Sequence, residues 1–229
     1  MSNYIEKYVY RSTPEGRKVT IKIMHDLDAD NPREENDNVG TMVTWHRNYT
    51  FGDKPEFGGR VGFPDQDPQH YRQRLVQLAD PKLERFARNA TPRELHLRVE
   101  ALLAEHYVML PVYLYDHGVQ HLAVGSFVGR AQHAEWDSAQ VGFIYCTKYK
   151  AMSEWGDDYR QKATEYLKGE VEEYDQYLSG QVYGYSIKRK GEELESCWGF
   201  YGLDYTKKEA EGCADTILEA LPPKQEKQA

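Results

Sequence analysis

What most constrains this chain is the order of its alternating segments. Residues 4–10 and 18–24 (KVTIKIM) alternate apolar and polar side chains around a turn-like TPEGR and read as a hairpin. Residues 41–49 (TMVTWHRNY), 108–116 (VMLPVYLYD), the segment QHLAVGSF and 139–147 (AQVGFIYCT) add further strands. QVYGYSIKR and ELESCWGFY form a second hairpin across Lys190-Gly191. Such strands follow one another in neighbouring groups, and a parallel sheet would need a helix between each pair. The expected class is therefore α+β, a mostly antiparallel sheet with about four helices packed on it.

Helical signals fill the remaining stretches. Residues 69–89 look helical with a restart at Asp80-Pro81. Thr91-Pro92-Arg93-Glu94 carries an N-cap, a first-turn proline and a capping-box glutamate. The clearest helix spans about 157–178, where Tyr159, Ala163, Tyr166, Leu167, Val171, Tyr174 and Leu178 form one stripe and Gly180 follows as a stop. A last helix runs from about Thr206 to Leu221 until Pro222-Pro223 ends it. Pro111 demotes the 108–116 strand towards an edge or a bulge, because it has no N–H to donate. The acid-rich run 25–40 reads as a loop, and 51–68 as a long connection. We expect one domain over 1–221 and a disordered tail over 222–229.

Composition narrows function mainly by exclusion. The chain has 229 residues and a net charge of −8, which argues against general nucleic-acid binding, since that needs cations to displace counterions. Cys146, Cys197 and Cys213 are odd in number and widely spaced, so reduced, mostly buried thiols are expected. The N-terminus lacks an apolar signal region, and no stretch approaches 18 apolar residues. The expectation is a cytoplasmic protein with no membrane span. Eighteen Tyr, seven Phe and four Trp suit half-exposed sheets and contact surfaces alike.

Three places carry chemistry in their residue types. Asp26, Asp28, Asp30 and Asp37 fall at offsets 1, 3, 5 and 12 of a calcium-type loop, and hard cations such as Ca²⁺ or Mg²⁺ want converging carboxylate oxygens. Asn31 stands where that loop needs Gly, and Pro32 restricts the turn. From Asp26 to Val39 six acids face only Arg33; a cation, Arg33 itself or a partner must relieve their repulsion. The second place is Tyr115-Asp116-His117-Gly118, at the end of the most apolar strand. Asp116 and His117, with Asp137, are candidates for a proton-transfer set, although strand neighbours point to opposite faces unless a turn begins there. The third is a basic stretch from His70 to Arg98, with six Arg and one Lys against three acids. In it Arg72, Arg74, Arg85 and Arg88 are candidates to grip phosphate or another anion, or else to pair with the protein's own acidic loop.

No phosphate-cradling P-loop, dinucleotide fingerprint, H-E-x-x-H or G-x-S-x-G occurs in the chain. The segments DADNPREENDNVGTMVTWHRNYTFG (28–52), LPVYLYDHG (110–118), WDSAQVGFIY (136–145), YDQYLSGQVYGY (174–185) and SCWGFYG (196–202) resemble, in the same order, a family of uncharacterised bacteriophage and prophage proteins. That resemblance implies a phage accessory gene expressed in the cytoplasm of a bacterial host. Proteins of that kind often bind a host or viral partner, and some inhibit host defence. Two functions follow: a non-enzymatic binder of a protein or ligand, or a metal-dependent (Ca, Mg or Mn) hydrolase or nuclease using the Asp26–Asp37 loop with His117 as base.

Overall fold

The computed structural model describes residues 5–11, 17–53 and 68–220. All strand pairs among them are antiparallel, in two four-stranded sheets, and the class is α+β. Contacts divide the chain into two compact units, Met1–Asn31 with Gln176–Ala229 and Pro32–Asp175. The sequence reads as one domain with one sheet; there are two sheets, each with a core of its own. The 222–229 tail and most of the 51–68 connection lie outside the described residues.

In the first unit, β1 (Glu6–Arg11), β2 (Lys18–His25), β7 (Val182–Arg189) and β8 (Glu192–Tyr201) lie in the order β1-β2-β7-β8. Lys190 and Gly191 both take positive φ, the conformation that a two-residue hairpin demands. One stripe of α8 (Leu203–Ala220), Thr206, Ala210, Ala214 and Leu218, is buried; Ala210, Ala214 and Leu218 pack on Val19, Ile21, Ile23 and Ile187. The alanines have no bulk beyond Cβ, so the helix can approach the sheet closely.

The second unit builds the sheet β3-β6-β4-β5 from β3 (Thr41–Thr44), β4 (Tyr107–Asp116), β5 (Gln120–Val124) and β6 (Ser138–Thr147). Its helices include α1 (Pro32–Glu35), α2 (Pro68–Ala79), α3 (Lys82–Ala87), α4 (Pro92–His106), α5 (Ala134–Asp137) and α6 (Lys148–Trp155). It also holds α7 (Tyr159–Leu178) through Asp175. The Thr91–Glu94 capping box forms as its residues predict, and the helix restarts after Asp80-Pro81. Phe143 and Tyr145 of β6 join Leu75, Val76, Leu102 and Leu103 in one core. Tyr71 and Tyr145 share a hydroxyl hydrogen bond of 3.0 Å, and Tyr107 donates to the Leu75 carbonyl, so buried tyrosines bring no unpaired polar atom. Ile144 points to the opposite face. There a methyl group at Gly40 would come within 2.3 Å of Leu167 and 2.9 Å of Ile144, so only glycine lets this loop pass beneath α7.

The acid-rich segment is not merely a loop, because α1 interrupts it and delivers Arg33 to the interior. The Arg33 side chain is 1% exposed, and all five of its N–H groups are used. Two grip Asp53 side-on at 2.9 and 2.6 Å; the others reach Glu170, Asn38 and the Gly40 carbonyl. Glu170 also accepts from the Val39 and Gly40 amides, and Asp53 from the Met42 amide. Burial alone pulls the guanidinium pKa down, but the hydrogen bonds and charge of Asp53, then of Glu170, outweigh it and hold Arg33 charged.

Truncation of Arg33 strands two carboxylates. Arg33→Ala is expected to lower unfolding free energy by about 3–5 kcal/mol, read from the urea midpoint. Glu173 lies next to this cluster, and burial, then the charge of Glu170, raises its pKa above the ordinary carboxylate range. A carboxyl raised in the folded chain gives stability that is present below its unfolded pKa and lost as pH rises through the folded value. Glu173→Gln, which keeps an acceptor for Asn36, should therefore gain melting temperature over the wild type as pH rises from about 4 to 7.

Candidate functional site

The His117 corner is built where β4 turns into β5. Asp137 ends α5, and its carboxylate lies 2.9 Å from His117 Nδ1. Tyr115, two residues before His117 and therefore on the same face of the strand, stacks on its ring at 5.9 Å and 14°. Phe127 stacks on Tyr115, the Arg130 guanidinium lies 5.4 Å from the Phe127 ring centre, and the His133 ring is 6.2 Å from His117. His133 holds a left-handed conformation (φ 57°), rare for a residue with a side chain. Trp136 beside it is 86% exposed. The structure thus brings two of the three candidate proton-transfer residues together and separates the third. Asp116 points to the other face, where its carboxylate accepts from Gln120 Nε2 at 2.9 Å and, by its hydrogen bond, holds the Tyr49 hydroxyl pKa up. The alternation of the strand is the reason.

A carboxylate-oriented imidazole can move a proton, but general catalysis needs a reacting group within its reach. The His117 side chain is 54% exposed, and among the described residues no Ser, Thr or Cys hydrogen-bonds to it. The pair and its aromatic neighbours form a run of ring contacts from His133 through His117 and Tyr115 to Phe127.

The structure does not gather the four aspartates around one point. Among the described residues no three His, Cys, Asp or Glu side chains converge as a cation requires. Asp26 is occupied as a backbone cap, accepting from the Asp28 amide at 3.2 Å and the Gly199 amide at 3.0 Å. Asp28, Asp30 and Asp37 are exposed, and Pro32 opens α1 where a calcium loop would keep turning. Spacing matched the ligand pattern; the backbone path did not.

The four arginines do not form one anion site. Arg72 pairs with Glu100 at 2.7 Å and Arg88 with Glu84 at 2.8 Å, while Arg74 donates to Gln77. Arg85 lines a separate hollow with Lys82 and Phe86. Arg88 pairs one turn back in α3 and Arg72 reaches from α2 to α4, both away from the acidic loop. The cysteines are free, and the expectation that they are mostly buried holds for Cys146 but not for exposed Cys197.

Sequence reasoning missed a cleft of about 870 Å³ in the second unit. Leu103 and Ala104 of α4, Tyr107–Pro111 of β4, Phe143 of β6, and Arg160 and Thr164 of α7 line it. Apolar side chains share its lining with Gln140 and Thr164, and Arg72, Glu100 and Arg160 supply the charge. The cleft exists because β4 and β5 differ in length. β5 pairs only with Val112–Asp116, so Tyr107–Pro111 have a strand partner on the β6 side and, among the described residues, none on the other. Pro111 lies in the half of β4 that has one strand partner among the described residues, and the register shift between Val112 and Tyr113 places its extra residue, Val141, on β6. Pro111, which has no N–H to give a ladder, was the available signal.

Neither a known protein family, nor a curated protein, nor a solved structure matches this chain. Among the described residues no helix is long and apolar enough to cross a membrane.

With its carboxylates scattered, the loop should show no stoichiometric binding of Ca²⁺, Mg²⁺ or Mn²⁺ by calorimetry at millimolar metal, and chelator should leave the melting temperature unchanged.

Proposed function

We propose that this is a non-enzymatic binding protein whose ligand occupies the cleft beside the uncovered half of β4. What supports this is the cleft itself: a lining that mixes apolar side chains with a few charged ones, and a volume of about 870 Å³, within the range of ligand sites. The metal-dependent hydrolase loses its support with the carboxylate cage it requires. The rim carries two arginines against one glutamate, so the preferred ligand is apolar with an anionic group. As its biological setting we propose a phage accessory protein acting on a host or viral partner in the bacterial cytoplasm. That setting rests on the resemblance of its five segments alone.

Ala104 is exposed on α4 and lines the cleft, so a large side chain there fills the site without disturbing the core. In a ligand-observed NMR screen of aryl and alkyl carboxylates, Ala104→Trp is expected to abolish the binding seen with wild type. His117→Ala and Asp137→Asn lie outside the cleft and should change affinity by less than about twofold. Hits that survive Ala104→Trp but vanish in His117→Ala would move the site to the aromatic corner.

A further inference from the structure

We infer that the cleft takes an extended peptide segment, which adds a strand to the uncovered edge of β4. This rests on the cleft being the binding site and names the chemistry of its occupant.

The hydrogen-bonding parity of the strand carries the inference. On the outer side of β5 the Leu122 amide points away from β4, donating to Asp175 Oδ1 at 2.7 Å. Leu122 faces Leu114, so these two make no ladder bonds with each other, and Tyr113 and Tyr115 bond to β5 instead. Carried back along β4, the same parity turns the backbone groups of Met109 and Pro111 to the side where β5 has ended. The register shift does not disturb it, because the extra residue, Val141, lies on β6. Pro111 fits this assignment, since its missing N–H falls on the open side and not in the ladder with β6.

The open edge therefore presents a donor and an acceptor at Met109 and an acceptor at Pro111, all within the cleft. Backbone groups in that arrangement are complementary to another backbone, and main-chain pairing supplies affinity whatever the sequence of the incoming strand. Selectivity comes from the walls. Ala104, Met109 and Leu110, more open than the core residues behind them, offer apolar contacts to alternate side chains, and exposed Arg160, which donates to the Ala104 carbonyl at 2.8 Å, keeps further N–H groups for an acidic residue on the segment. Pro111 also limits the pairing to a short segment, as edge prolines do elsewhere.

The test is selection of random linear peptides by mRNA display against the intact protein, followed by residue-resolved amide exchange. Selected peptides should be held by wild type and lost by Ala104→Trp. The Met109 amide should exchange at least about tenfold more slowly in the complex, while the Leu110 amide, already in the ladder with β6, changes little. N-methylation of the peptide residue opposite Met109 should weaken binding about tenfold, the loss of one backbone hydrogen bond. Peptides sensitive to Ala104→Trp that leave Met109 exchange unchanged overturn strand addition but keep the cleft as a ligand site. If neither peptides nor carboxylates respond to Ala104→Trp, the cleft reading falls as well. Failure to select any peptide that distinguishes the two proteins also overturns the proposal.

Discussion

A buried guanidinium is costly to place in a protein, and around Arg33 the second unit is arranged to meet that cost. Its five donors go to two carboxylates, one amide side chain and one carbonyl, and the carboxylates in turn hold the Val39, Gly40 and Met42 amides. A single side chain thereby joins α1, the approach to β3, the Asp53 turn and α7. Leu167 and Ile144 close over Gly40, whose carbonyl and amide this cluster binds. The position of α7 follows, and with it Arg160 and Thr164 at the cleft and Asp175 at the β5 edge.

The two edges of this sheet at β4 and β5 are managed differently. Asp175 caps the β5 edge, its carboxylate accepting from the Leu122 amide, with the His121 ring at 3.2 Å; burial, above all, raises its pKa. Among the described residues the other half of β4 has helices beside it instead of a strand, and Pro111 stands on that edge. An exposed strand edge is normally a liability that a fold blunts.

Much of the local structure was legible in the residues. The capping box at Thr91, the restart at Asp80-Pro81, the long stripe of α7 and the Lys190-Gly191 turn are signals carried within a few positions, and each forms as they predict. The His117–Asp137 contact was partly legible, because both residues flank paired strand ends. The calcium-type spacing misled for the converse reason. It fixes separations along the chain, and cation binding depends on where the backbone carries the carboxylates afterwards.

From sequence alone came the class, the antiparallel pairing and most element boundaries, since hydrophobic period and turn chemistry act over short range. Tertiary structure alone decided that there are two sheets and that Arg33 is buried against Asp53 and Glu170, residues 20 and 137 positions away. It also decided that β4 outruns β5 to leave a cleft. Those outcomes depend on contacts between distant segments, whose partners are selected by packing and by the need to satisfy every buried charge, and no local pattern records that choice.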